Sequence, residues 1–268
     1  WCKTAVIEMT DSQSDIDRKS YFDNLITIYG RKPVLEVFQA TDIQPKRLHL
    51  ADSNQISGIL KEILALANRK NTEIHYHSKK ALSRISKNGK QDQGIAVDIE
   101  VPRYQALETL TKPADDAEQD TLTEIIALDR ITNPQNLGMI IRSVAASPCR
   151  GLLIPRNGCA RLDPLVIKAS AGTLFRAQIY HCDTIDSGIE YLKATGFEVL
   201  GLAANGTLAL SDVSQTGRHV FVLGNETSGI SDSVRHACDD IVSIPLANAI
   251  ESLNVSVAAS IVSFRTVS

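Results

Sequence analysis

The stretch IPLANAIESLNVSVAAS, Ile244 to Ser260, sits close to the end of the 268-residue chain. An apolar strand end meets Pro245 and small residues, then the carboxylate Glu251, then Ser252-Leu253-Asn254 and an apolar, helix-like run. Terminal segments are ordinarily frayed and dispensable. This one places polar side chains at the mouth of its most apolar segment, which is the pattern of a site.

The same transition, from apolar strand to polar turn to helix, recurs upstream. Strands are predicted at EIIALD, GLLIP, RAQIYH, EVLGLAA, HVFVLG and IVSIP, with helices at NLGMIIRSVAAS, DPLVIKASA, SGIEYLKATG and SDSVRHACDD between them. Such alternation predicts a mostly parallel sheet covered on both faces. Sheets of this kind hold ligands beyond the carboxyl ends of their strands. The polar residues of interest fall just after strands.

Lys112 to Thr123, KPADDAEQDTLT, is polar, acidic and without apolar periodicity, as a linker is. The predicted organisation is a polar tail over 1–20, a small α/β domain over 21–105, a linker over 106–122 and a larger α/β domain over 123–268. In the front half a Gly-Arg-Lys-Pro break precedes a short helix. RLHLAD, TEIHYHS and QGIAVDIEV read as strands, and KKALSRISK as a helix. ISGILKEILALANRK reads as an amphipathic helix, with Ile56, Ile59, Leu60, Ile63, Leu64 and Leu66 on its apolar side.

Hydrophobic content of 43% with 22% charged residues is that of an ordinary globular protein. No apolar run reaches the length of a membrane span, and the N-terminus lacks a signal-peptide pattern, so a cytoplasmic location is expected. Cys2, Cys149, Cys159, Cys182 and Cys238 form no CxxC pair, which predicts reduced packing thiols. Residues 17–112 carry 16 Lys+Arg against 11 Asp+Glu, and residues 113–268 carry 11 against 17. A basic front on an acidic back points to a polyanion met by the front half, although chance asymmetry gives the same numbers. His75 and His77 alternate along one strand with no third ligand in view, and His49 and His236 add none, so no metal is expected.

Three constellations follow three strands. In LDRITNPQNLGMIIRS, Asp129 ends a strand and Asn136 reads as the N-cap of a helix buried through Leu137, Ile140, Ile141 and Val144. Arg142 then falls in an apolar neighbourhood, either as a snorkelling or ion-paired structural arginine or as a cation aimed at a phosphate or a reacting oxygen. In VFVLGNETSGIS, Gly224 and Gly229 flank Asn225-Glu226 and would let the backbone approach a ligand, with Ser231 as a helix cap. This loop is neither GxGxxG nor a P-loop, which argues against a dinucleotide-binding oxidoreductase. In the third constellation Ser252 reads as an N-cap, whereas Asn254 has less structural explanation, Asn being a poor helix former.

Together, NPQNLGMIIRS, VLGNETSG and IPLANAIESLNVSVA resemble the three motifs of the SpoU (TrmH-like) branch of the SPOUT superfamily, in that family's order and spacing. YGRKPVLEVF and DQGIAV resemble landmarks of the small substrate-binding domain that precedes many such catalytic domains. The resemblance implies a parallel α/β sheet with a C-terminal trefoil knot, and transfer of a methyl group from S-adenosylmethionine to a ribose 2′-hydroxyl of RNA. It puts ribosomal RNA ahead of transfer RNA, with a non-catalytic RNA-binding member as the remaining alternative. It implies a homodimer, with no metal and no membrane partner. Carried over by motif, Gly224, Ile244 and Leu253, with Leu223 and Ala203 at neighbouring strand ends, line the cofactor pocket. Arg142, Asn136, Glu226, Ser252 and Asn254 surround the reacting ribose.

Overall fold

The computed structural model describes residues 25–41, 43–100, 104–110, 122–248 and 250–267. The chain forms two compact units, 1–101 and 102–268. The tail predicted over 1–20 and most of the predicted linker lie outside the described residues.

The N-terminal unit is built on four strands: β1 (Leu25–Tyr29), β2 (Pro45–Ala51), β3 (Glu73–His77) and β4 (Ile95–Glu100), in the order β1-β4-β2-β3. β4 pairs antiparallel with β1 and β2, and β2 pairs parallel with β3. Period-two alternation buries Ile26 and Ile28 of β1 opposite Ile99 and Val97 of β4. Helices α1 (Arg31–Gln39) and α2 (Ile59–Arg69) pack together and supply Val34, Val37, Phe38, Leu60 and Ile63 to this core. The predicted α2 starts too early: Ile56 is 59% exposed, because the chain turns at Gly58 (φ 52°) before the helix begins. The third helix is α3 (Lys79–Ser86), capped by Ser78.

The other face of this sheet carries a row of polar side chains. Thr27 Oγ1 donates to Asp98 Oδ1 (2.7 Å), Asp98 Oδ2 meets His49 Nε2 (3.0 Å), and His49 Nδ1 meets His77 Nε2 (3.0 Å). The expectation that no third histidine stands near His75 and His77 is therefore corrected: His49 lies beside both. Strand pairing sets His49 opposite His75, and the three rings lie within 6.3 Å of one another. Separation in sequence hid this, since β2 and β3 meet across more than twenty residues. Among the described residues no group of three or more His, Cys, Asp or Glu side chains is arranged to hold a metal ion.

In the C-terminal unit the described residues form an eight-stranded sheet, parallel at every pairing. Its strands are β5 (Gln105–Ala106), β6 (Thr123–Leu128), β7 (Gly151–Pro155), β8 (Ile179–Cys182), β9 (Glu198–Leu202), β10 (Leu208–Ala209), β11 (Arg218–Leu223) and β12 (Asp240–Ser243). They run in the order β10-β12-β9-β11-β6-β7-β8-β5. The edge strands β5 and β10 are two residues long, too short to give a sequence signal. Residues 106–110, at the start of the predicted linker, belong to this unit, with Leu107 and Leu110 buried in its core.

Five helices of the described residues flank this core. α6 (Ile185–Ala194) and α7 (Asp232–Ala237) cover the face that carries Ile125, Ala127, Val220 and Val222. α4 (Pro134–Ala146) packs on α5 (Pro164–Ala169) and on α8 (Val255–Ser263), and α8 reaches the opposite face of β6 and β11. Gly138 allows the first contact, since a Cβ there would lie 2.4 Å from Ala169 Cβ and 2.7 Å from Val166 O. α8 follows β12 in sequence but packs against α4, so the chain's end crosses past β9 and β11.

Arg265, just beyond α8, holds that crossing in place. Its Nε pairs with Glu124 at the start of β6, and its Nη atoms donate to the carbonyls of Val213 (3.0 Å) and Ser214 (2.6 Å). Both charged side chains are buried, 6% and 3% exposed. The thiols of Cys149, Cys159, Cys182 and Cys238 are free, and burial raises their pKa, Cys182 to about 12 and Cys238 to about 11. No helix of the described residues is long and apolar enough to cross a membrane.

Removing one partner of a buried pair strands the other charge, so Arg265→Ala should cost about 3–5 kcal/mol by denaturant unfolding. Joint replacement by apolar residues, Glu124→Leu with Arg265→Met, should recover a large part of that loss. An alanine variant as stable as the parent contradicts the anchoring role.

The polar row gives the N-terminal unit a pH dependence. Burial, then the neighbouring His49 and His75 imidazoles, hold His77 below its ordinary value of 6.5. The unfolded chain then takes the proton first, so stability falls as pH drops below 6.5. Burial alone would raise Asp98, but hydrogen bonds from His49 and Thr27 outweigh it and leave the carboxyl below 3.8. Its contribution therefore persists until the pH falls below that value. Thermal melts of His77→Gln between pH 7 and 5 should be flatter than those of the parent. An unchanged slope contradicts the assignment.

Candidate active site

The carboxyl ends of β9, β11 and β12 open onto a cavity of 330 Å³. Its apolar wall includes Leu202, Ala203, Leu223, Ile244, Leu253 and Val255, and its rim carries Asn225, Glu226, Glu251 and Ser252. The five residues assigned by motif to a cofactor pocket, Gly224, Ile244, Leu253, Leu223 and Ala203, all line this one space. Glu226 and Ser252 line it as well.

The Gly224–Ile230 turn is folded by its own polar groups. Asn225 Oδ1 accepts from the backbone N–H groups of Thr227 (2.9 Å) and Ser228 (3.3 Å), and Asn225 Nδ2 donates to Arg130 O (3.1 Å). Arg130 Nη2 returns a bond to Gly229 O (3.1 Å), and buried Asp129 accepts from Ser231 N at 2.6 Å. Asp129 and Arg130 thus fix the turn from the end of β6. The sequence marked Asp129 only as a strand end, because its partner lies about a hundred residues away.

Gly224 is also needed for self-packing: a Cβ there would lie 2.1 Å from Gly229 C and Ile230 N, so the turn closes on its own backbone. Three expectations are corrected here. Asn136 is not the N-cap of α4. Asn133 takes that place, accepting from the N–H groups of Gln135 (2.8 Å) and Asn136 (3.5 Å), and Pro134 follows as a favourable first helical residue. Ser252 does not cap α8 and stays exposed in the loop. Asn254 is the cap, its Oδ1 accepting from Ser256 N at 2.9 Å. Ser231 stands at the N-cap position of α7 but makes no side-chain cap bond.

Released from capping, Asn136 is buried and joins two of the motifs. Its Nδ2 donates to Glu226 Oε1, and its Oδ1 accepts from Asn254 Nδ2 at 3.2 Å. Asn136, Glu226 and Asn254 therefore form one connected group, although 90 and 118 residues separate Asn136 from the other two. Glu226 itself is exposed, so its carboxylate is open to solvent.

Arg142 is placed otherwise than expected. It lies on the exposed side of α4, outside the cavity lining, with no ion pair among the described residues. Six positions from Asn136 carry the helix through one and two-thirds turns, onto another side. The residues around it in sequence are buried, but the helical period turns its own side chain outward.

Residues 124–264 match the model of the SpoU rRNA Methylase family, and residues 27–105 match that of RNA 2'-O ribose methyltransferase substrate binding. An uncharacterized tRNA/rRNA methyltransferase of Mycobacterium leprae is 35% identical over 240 residues, 90% of this chain and 76% of that protein. One from Mycolicibacterium smegmatis is 32% identical over 90% of this chain and 75% of its own. Two solved structures share the fold. The SpoU methyltransferase AviRb of Streptomyces viridochromogenes in complex with AdoMet has a TM-score of 0.69 at 24% identity, covering 92% of this chain and 91% of that one. An AdoMet-bound rRNA methyltransferase of Sinorhizobium meliloti also has 0.69, at 20% identity, covering 98% and 96%.

The cap correction is directly testable. Asn254→Ala removes both a helix cap and the link to Asn136, and should cost about 1–3 kcal/mol. Ser252→Ala, in the exposed loop, should stay within about 0.5 kcal/mol. Urea unfolding of both variants decides it, and the reverse order would restore Ser252 as the cap.

Proposed function

Because the chain belongs to the SpoU rRNA methylase family, we propose that it methylates a ribose 2′-hydroxyl of RNA, ribosomal RNA in preference to transfer RNA, using S-adenosylmethionine. The observation that carries the reading is the junction of three motifs: a cavity at Gly224, Ile244 and Leu253 beside the Asn136–Glu226–Asn254 group.

The cavity residues fit the cofactor. A volume of 330 Å³ is in the range of small-molecule sites. Aliphatic strand ends offer an apolar wall to an adenine ring, and the Glu226 and Glu251 carboxylates at the rim suit a sulfonium cation. When bound, S-adenosylmethionine supplies an electrophilic methyl group. The protein's part is to bring a ribose oxygen into line with it and to manage that oxygen's proton. Asn136, held from both sides, fixes Glu226 and Asn254 relative to each other, so the polar rim is preorganised. Glu226 is the exposed acceptor best placed to hold a sugar hydroxyl or take up its proton.

Arg142 enters as a cation from outside the cavity lining, binding the adjacent phosphate and stabilising alkoxide charge as it develops. Its guanidinium stays protonated and does not act as a base. Its exposure on α4 suits a site completed at the face of a second copy. Met139, Val257, Ile261 and Phe264, each 38–47% exposed, extend from α4 along one side of α8, where Ser143 and Ser260 join the two helices at 2.7 Å. A homodimer through this face covers those side chains and brings Arg142 beside its partner's surface. In this reading the crossing of the chain's end past β9 and β11 is threaded through a loop as a trefoil knot, so the cavity wall cannot fray.

Arg142→Ala should lower methyl transfer by about 100-fold or more, the size of a lost transition-state contact, with cofactor affinity and melting temperature nearly unchanged. Arg142→Lys should also be poor, because a point charge does not replace a planar fork. Calorimetry should show S-adenosylmethionine binding and no NAD binding, and sedimentation should show a dimer. A normally active alanine variant removes Arg142 from catalysis. NAD binding without S-adenosylmethionine binding overturns the reading, and an active monomer removes the shared site.

A further inference from the structure

A second pair of cavities opens at the carboxyl ends of β7 and β8, on the far side of β6 from the site described above. The larger, 660 Å³, is lined by residues that include Tyr104, Gln105, Arg156, His181, Asp183 and Tyr191. The smaller, 190 Å³, shares Tyr104, Arg156 and His181 and adds Arg161. Between them the Tyr104 and His181 rings stack, with centroids 3.3 Å apart and planes inclined by 21°.

Both rings are uncharged near neutral pH. Burial, then the charge of Arg156, lowers His181 to about 4, and burial raises Tyr104 to about 12. The pair is therefore a neutral aromatic platform with arginines at its edge. Arg156 is exposed and shares its charge with Asp183 at 3.2 Å, itself exposed, and Arg161 is also exposed. These arginines stand in the half of the chain whose overall balance is acidic, with 17 Asp+Glu against 11 Lys+Arg over residues 113–268.

The platform is also tied to the methyl-transfer site. Arg130 donates to Gly229 O in the Gly224–Ile230 turn, while its Cγ lies 3.9 Å from where a Cβ on Gly158 would stand. Gly158 belongs to the loop that carries Arg156 and Arg161, and Ala160 N of that loop bonds to Ile131 O at 2.8 Å. From β11, the nearest strand of the methyl-transfer cavity, to β8 is three strand spacings, about 14 Å, the reach of two to three nucleotides of an RNA strand.

We propose that this groove is a substrate subsite: it seats a nucleotide of the RNA near the methylated one, with the base against the Tyr104–His181 platform and its phosphate at Arg156 and Arg161. The assignment rests on the RNA methyltransferase reading and extends it. Stacking on an aromatic platform accepts any base, because each has a π-face, while arginines at the edge take the backbone charge. The groove thus fixes how the strand crosses the carboxyl rim of the sheet. The N-terminal unit is then not the sole contact with RNA.

The test uses the full-length protein with 5′-CMP as probe, in the presence of S-adenosylhomocysteine to fill the cavity at Gly224. His181 ring resonances should shift on titration with 5′-CMP, and Tyr104→Leu and Arg156→Gln should each weaken that binding. With an RNA substrate, both variants should raise KM about tenfold, the scale of one lost base stack, with kcat within twofold and S-adenosylmethionine affinity unchanged. Arg156→Gln alters an exposed side chain, so it remains informative if Tyr104→Leu disturbs folding. Unchanged RNA KM in Arg156→Gln, with no 5′-CMP response at His181, overturns the subsite while leaving methyl transfer intact. Should the parent protein methylate no RNA yet bind 5′-CMP at His181, the nucleotide site stands and the proposed reaction fails.

Discussion

The buried pair between Glu124 and Arg265 is the constraint on which the C-terminal unit depends. It joins the first residues of β6 to the end of α8, across 141 positions of the chain. A buried ion pair is costly to form, and it persists only where further hydrogen bonds complete it. Here the carbonyls of Val213 and Ser214 do so. With the end of the chain fixed there, α8 lies against α4 and the loop from Ile244 to Asn254 is drawn across the strand ends. That loop forms one wall of the cavity, so a fastening at one end of the sheet shapes the site at the other.

The site itself is a set of loops held by side-chain amides. Asn133 and Asn254 cap their helices, Asn225 folds its own turn, and Asn136 joins the motifs. An amide carries a donor and an acceptor without net charge, so it can be buried and still satisfy two partners. The charged residues, Glu226 and Arg142, are left at the surface. Asn136 and the carboxylate of Asp129 set geometry from inside the fold, and Glu226 and Arg142 lie outside it.

The parallel sheet was legible because strands buried on both faces write continuous apolar runs, as in EIIALD and HVFVLG. The cavity residues were legible through the resemblance of three motifs, which lie just after strand ends. What the sequence withheld was long-range partnership. Asn136 looked like a cap because Asn before an apolar run usually is one, and nothing local announced Asn133 as the competitor or Glu226 as the partner. Arg142 looked buried because its neighbours are apolar, although a helix exposes roughly one residue per turn even in such a run. The histidine row and the Tyr104–His181 stack come from strands distant in sequence, and no periodicity encodes which strands become neighbours.

The reaction is tested most directly by incubating the protein with total RNA and methyl-labelled S-adenosylmethionine, then mapping the labelled nucleotide. The account predicts label at a ribose 2′-oxygen of a discrete ribosomal RNA nucleotide. A discrete transfer RNA nucleotide carrying the same modification would correct the substrate alone. Label on a base, or no transfer to RNA by a folded protein that binds S-adenosylmethionine, would contradict the account.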